Sequence, residues 1–142
     1  MARPLRVLSI DPGSDKCGVA VVDARDGVLA RGVIPTTVVS HIVRDWSAAH
    51  RPMVLLLGGG TSYRKVRQAL LGVDLPMEVV PEAFTTERAR KRYFEEHPPR
   101  GWRRLIRALL TPPIPVDDYA AVLIAEDYMA ATAKRSTRTG TL

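Results

Sequence analysis

Cysteine is almost missing from this chain: Cys17 is the only one in 142 residues. A single thiol excludes an intramolecular disulfide, and a cysteine-based zinc site would need several more ligands. A buried, inert thiol is the expected role. The three histidines, His41, His50 and His97, have no spacing that suggests a metal site. No apolar run approaches the length of a membrane span, and MARPLRVLSI enters a strand-like pattern directly, without a signal-peptide core and cleavage site. A soluble, cytoplasmic protein with no membrane partner is expected. Internal repeats, low-complexity segments and a G-x-x-x-x-G-K-[ST] nucleotide loop are also missing.

What is present fits one compact domain over residues 1–142, with 46% apolar and 25% charged residues. The formal charge is +6 and the pI is near 10.0, which points to a polyanionic partner. The surplus is local. Residues 61–107 hold eleven Lys and Arg against six Asp and Glu, or +5 of the total.

Three short stretches rich in β-branched residues, 5–10 (LRVLSI), 17–22 (CGVAVV) and 27–34 (GVLARGVI), are separated by DPGSDK and DARD. Asp and Gly favour turns there, so the stretches predict an antiparallel meander. Val38, Val39, Ile42, Val43 and Trp46 recur at helical spacing and predict a helix over 36–50. MVLLL at 53–57 is continuously apolar, as a strand buried on both faces should be.

Glycines 58–60 end that strand, Thr61 or Ser62 can cap a helix to about Leu71, and MEVV at 77–80 is a further strand. A third helix is expected over about 85–96. HPPRGW and TPPIPV interrupt regular structure on either side of WRRLIRALL, because proline lacks the donor and fixes φ. A last helix is expected from about Asp117 to Ala131, with residues 132–142 as a frayed tail. This order predicts an α/β fold with a mixed five-stranded sheet, three antiparallel strands followed by two parallel ones, flanked by helices.

Three acids sit at the ends of elements: Asp11 after the first strand, Glu82 after the fifth, and Asp117 opening the last helix. Strand ends of such a sheet present side chains into a crevice. Carboxylates gathered together need positive charge to neutralise them, and hard oxygen ligands suit Mg²⁺ or Mn²⁺. Two such ions about 3.5–4 Å apart can activate water and stabilise a leaving oxygen in phosphodiester hydrolysis. Each acid also has an ordinary reading. Asp11 suits a Pro-Gly turn, Asp117 suits a helix N-cap with Asp118 as alternate, and Glu82 suits a polar strand exit. Glu126 and Asp127 lie about 14 Å along the helix from Asp117 and read as a solvated face.

The stretches IDPGSDKCGVA, PEAFTTERAR and VDDYAAVLIAEDYM, in this order, resemble the three motifs of the YqgF/RuvX family within the RNase H-like superfamily. Family members resemble the RuvC Holliday junction resolvases, and the resemblance covers nearly the whole chain. It implies an RNase H-like fold, Asp11, Glu82 and Asp117 as catalytic metal ligands for Mg²⁺ or Mn²⁺, and Gly13, Gly18 and Thr86 as matching motif positions. Ala120 and Ala121 match the small pair that lets the last helix lie close to the sheet. GGGTSYRK replaces the family's G-x-P-x-x-x-x-G loop, which bears on how a backbone is gripped. Pro81 replaces an Asp before Glu82 and removes an acid from beside the site.

The basic residues Arg64 and Lys65, then Arg88, Arg92, Arg103 and Arg104, flank these motifs and are candidates for phosphate-backbone contact with salt-sensitive binding. Trp102 reads more readily as packing than as a base-stacking platform. The leading expectation is a divalent-metal-dependent endonuclease for branched DNA or the 5′ end of small-subunit ribosomal RNA precursor. Junction resolution would imply a homodimer. The rivals are a non-catalytic nucleic-acid-binding module and an actin-like nucleotide-binding phosphotransferase, whose phosphate loop also reads D-x-G before a strand.

Overall fold

The computed structural model describes residues 5–60, 62–80 and 117–139, with the backbone alone for residues 117–119 and 134–139. The strands β1 (Arg6–Asp11), β2 (Lys16–Asp23) and β3 (Gly27–Pro35) form the expected antiparallel meander. Register pairs Arg6 with Asp23 and Asp11 with Gly18. The β2–β3 turn closes on Asp23, whose Oδ1 accepts the N–H groups of Arg25 and Asp26 at 2.8 and 2.9 Å. Gly27, at φ +82°, supplies the left-handed residue that returns the chain.

The helix expected from Thr36 begins differently. Thr36–Val38 is a single 3₁₀ turn after Pro35, and the α-helix proper, α1, spans Val39–His50. It ends at Arg51, the only non-glycine described residue at positive φ, whose N–H bonds back to the Ser47 carbonyl at 2.9 Å. β4 (Val54–Gly58) then runs parallel to β1, α2 (Tyr63–Ala69) follows, and β5 (Met77–Val80) runs parallel to β4. The last helix, α3, spans Asp117–Thr139 and so continues past Ala131, where the sequence suggested an end. The helix expected over 85–96 and the proline-interrupted segments around it lie outside the described residues.

The sheet order is β3-β2-β1-β4-β5, which sets β1 at the centre. Leu8, Ile10, Cys17, Val19, Val21, Leu55 and Leu57 project to one face and pack on Val39 and Val43 of α1, Val66 of α2 and Leu70 just beyond it. The alternate residues Val7, Ala20, Val22, Val54 and Leu56 project to the other and pack on Ala121, Val122, Ile124 and Ala125 of α3. Both faces of the central strands are therefore covered, which is why β1 and β4 read as continuous apolar runs and not as alternating ones. Among the described residues, no helix is long and apolar enough to cross a membrane.

At the N-terminal end of β1, Arg6 ties three elements together. Its Nε meets Asp23 Oδ2 at 2.9 Å, and a terminal guanidinium nitrogen donates to the His50 carbonyl at 2.6 Å. That carbonyl lies at the C-terminus of α1, where a cation complements the helix dipole. The opposite end of the strand carries Asp11.

Candidate active site

Asp11 is the last residue of β1. Side chains alternate along a strand, so Asp11 shares the α3 face with Val7 and Ser9, and it is only 8% exposed. A carboxylate so far out of water is costly as an anion unless its charge is compensated. Directly across β2 stands Gly18, which has no side chain to fill the space beside it.

The turn after Asp11 is held from three sides. Thr36 Oγ1 donates to the Gly13 carbonyl at 2.9 Å, the Thr36 N–H to the Asp15 carbonyl at 2.8 Å, and Lys65 Nζ to the Ser14 carbonyl at 3.3 Å. Cys17 Sγ lies 3.4 Å from Thr36 Oγ1, so the buried thiol packs under this turn as a structural group. Gly13 is required for space: a Cβ there would collide with the Lys16 carbonyl oxygen. The turn that follows Asp11 is thus tied to the 3₁₀ turn and to α2.

Helix α3 is seated on the same face. Ser9 Oγ, two residues before Asp11, donates to the Ala121 carbonyl at 2.5 Å. Farther along the helix, Glu126 and Met129 line a hollow with Val22, Asp23, Gly27 and Val28, at the end of the sheet away from Asp11. α3 therefore runs antiparallel to β1, starting near the Asp11 end. Asp117 precedes Ala121 by one turn, about 6 Å of axis, and Asp11 lies about 7 Å beyond Ser9. The first turn of α3 and the carboxylate of Asp11 consequently belong to the same end of the sheet. Glu126 and Asp127 are half-buried, not the fully solvated face expected of them.

β1, β4 and β5 are mutually parallel, so their C-terminal ends share that end too. β5 closes there with the Gly59 N–H bonded to the Val80 carbonyl at 2.9 Å. Glu82, Arg88, Arg92, Arg103 and Arg104 lie outside the described residues, as do the side chains of Asp117 and Asp118. Arg64 and Lys65 are exposed on α2, and Lys65 reaches the turn beside Asp11. Among the described residues, no three His, Cys, Asp or Glu side chains gather as a metal-ligand group. The one expected ligand whose side chain is described, Asp11, is a hard oxygen donor of the kind Mg²⁺ and Mn²⁺ prefer.

Two contributors escaped the sequence reading. Ser9 had a visible signal, a lone hydroxyl inside an apolar strand. Thr36 had none, because its partner Gly13 is 23 residues away.

No family model matches the sequence, and no curated protein matches it. Solved structures do match. RuvC of T. thermophilus in complex with Holliday junction substrate aligns with a TM-score of 0.54 and 16% identity, over 89% of this chain and 96% of that one. A second structure of Thermus thermophilus RuvC gives 0.54 and 17%, over 85% and 90%. The fold is RNase H-like, of the RuvC type. The mixed sheet of three antiparallel and two parallel strands is the one the element order predicted. At these identities the likeness is one of architecture.

Proposed function

We propose that this RuvC-like domain is a divalent-metal-dependent endonuclease that hydrolyses phosphodiesters of branched DNA. The observation that supports it best is the buried Asp11 at the end of the central strand, facing the helix that Asp117 opens. Asp11, Glu82 and Asp117, with Asp118 as alternate, would hold Mg²⁺ or Mn²⁺. Bound there, the ions supply water activation and stabilisation of the leaving oxygen. The chain's own contribution is positioning: the tied turn at residues 12–15 holds Asp11 still, and the seating of α3 sets where its first turn begins.

Arg64 and Lys65, together with Arg88, Arg92, Arg103 and Arg104, supply backbone affinity in this reading. The RuvC neighbour is described in complex with a Holliday junction substrate, which favours branched DNA over ribosomal RNA precursor. Cutting a four-way junction symmetrically takes two active sites, so the working form is a homodimer.

The deciding experiment is a cleavage panel with Mg²⁺ and Mn²⁺ on four-way junction, flap, single-stranded DNA and structured precursor RNA, with Asp11→Asn as control. Metal-dependent cutting of the junction that falls by more than about 100-fold in Asp11→Asn is expected, beyond the usual effect of removing a group behind the ligands. Salt-dependent binding without cleavage under any metal would leave a binding module instead. Cleavage of the RNA alone would move the substrate to ribosomal RNA precursor.

A further inference from the structure

Gly58, the last residue of β4, lies beside both the strand end carrying Asp11 and helix α3. A Cβ built on Gly58 would lie 2.9 Å from Ile124 Cδ1 on α3, and 3.5 Å from both the Ile10 carbonyl oxygen and Pro12 Cδ. Ile10 and Pro12 are the residues on either side of Asp11. Ile124 Cδ1 is the end of a flexible side chain, but Ile124 is fully buried among side chains of the α3 face, so the methyl can turn only against packed neighbours. Gly58 has no positive φ, so the backbone would accept another residue and the contact with Ile124 is what opposes it.

We infer that Gly58 is a positioning residue that sets the separation between the strand end carrying Asp11 and the helix opened by Asp117. The inference rests on the metal-site reading above for its consequence, but not for its geometry. A side chain at residue 58 would rest at ordinary contact distance on Ile10 and Pro12 and press on Ile124, so it acts as a wedge against α3. Packed interiors relieve such a wedge by small shifts of whole elements. Here the movable element is α3, held to β1 by the Ser9–Ala121 hydrogen bond. A divalent ion held by carboxylates from both segments would sense that shift, Mg²⁺ above all because it demands near-ideal octahedral geometry. The wedge can be withdrawn from the other side: Ile124→Val removes the Cδ1 that Gly58→Ala would meet.

The test uses the full chain as wild type, Gly58→Ala, Ile124→Val, the double variant and Asp11→Asn, with Mn²⁺ titrated by calorimetry without nucleic acid. Amide hydrogen exchange over residues 120–125 is followed in parallel. Gly58→Ala is expected to weaken Mn²⁺ binding at least tenfold and to speed exchange in α3, and the double variant to recover both toward the Ile124→Val values. A folded Gly58→Ala protein with wild-type Mn²⁺ affinity and wild-type exchange overturns the inference, as does a defect that Ile124→Val leaves untouched. Wild-type Mn²⁺ affinity in Asp11→Asn overturns the metal-site reading instead, and the exchange data then still decide whether Gly58 seats the helix.

Discussion

Ser9 and Ala121 stand 112 residues apart in the chain and are joined by a buried 2.5 Å hydrogen bond from the serine hydroxyl to the helix carbonyl. It links the central strand to α3 on the face that carries Asp11. Ser9→Ala removes the donor and leaves an apolar contact of similar size, so a loss of about 1 kcal/mol is expected. Urea unfolding measures it. A midpoint at or above wild type would show that the bond contributes nothing to seating the helix.

Thr36 holds the turn after Asp11 through a hydroxyl that reaches the Gly13 carbonyl at 2.9 Å. Thr36→Val keeps the shape and deletes the donor, which should destabilise the domain by about 1 kcal/mol because the Gly13 carbonyl loses its hydroxyl partner and keeps only the weak Cys17 thiol contact. Thr36→Ser keeps the hydroxyl and should recover most of that loss. Equal losses in both variants would assign the effect to packing of the methyl group.

Asp23 contributes to the response to acid. The Asp26 N–H is the largest cause holding its carboxyl below the ordinary aspartate pKa; burial acts the other way, while the Arg25 N–H and the Arg6 guanidinium add to the lowering. A group depressed in the folded state stabilises fully above its unfolded pKa, about 3.9, and loses that contribution as pH falls through the lower folded value. Asp23→Asn should therefore cost stability at pH 7 and narrow the gap from wild type as pH drops below about 4. Thermal melts between pH 7 and 2.5 check this, and a gap independent of pH would refute the linkage.

Lys65 is exposed on α2 and reaches the turn beside Asp11. If it meets a phosphate there, Lys65→Ala should weaken binding of every DNA structure about equally. It should also reduce the slope of log K against log salt by about 1. Fluorescence anisotropy across a salt series gives the slope. An unchanged slope would remove Lys65 from the interface.

Most of the architecture was legible in the chain because strand patterning and turn residues are local signals. Continuous burial of β4 followed from MVLLL, and the meander from three stretches rich in β-branched residues separated by Asp- and Gly-bearing turns. Helix ends were less legible. Thr36 opens a 3₁₀ turn because its hydroxyl and N–H are engaged by the 12–15 turn, a contact that periodicity within residues 36–50 could not reveal. The half-burial of Glu126 and Asp127 likewise depends on where α3 crosses the sheet.

Of the candidate site, the chain alone determined that Asp11 ends a strand, that Asp117 can open a helix, and that the intervening region is strongly basic. Those are consequences of local propensity and composition. Tertiary structure decided that β1 is central, that α3 lies antiparallel across it with its first turn toward Asp11, and that Gly58 gives the clearance for this approach. These depend on which distant elements become neighbours, and that choice is made by packing both faces of one sheet at once.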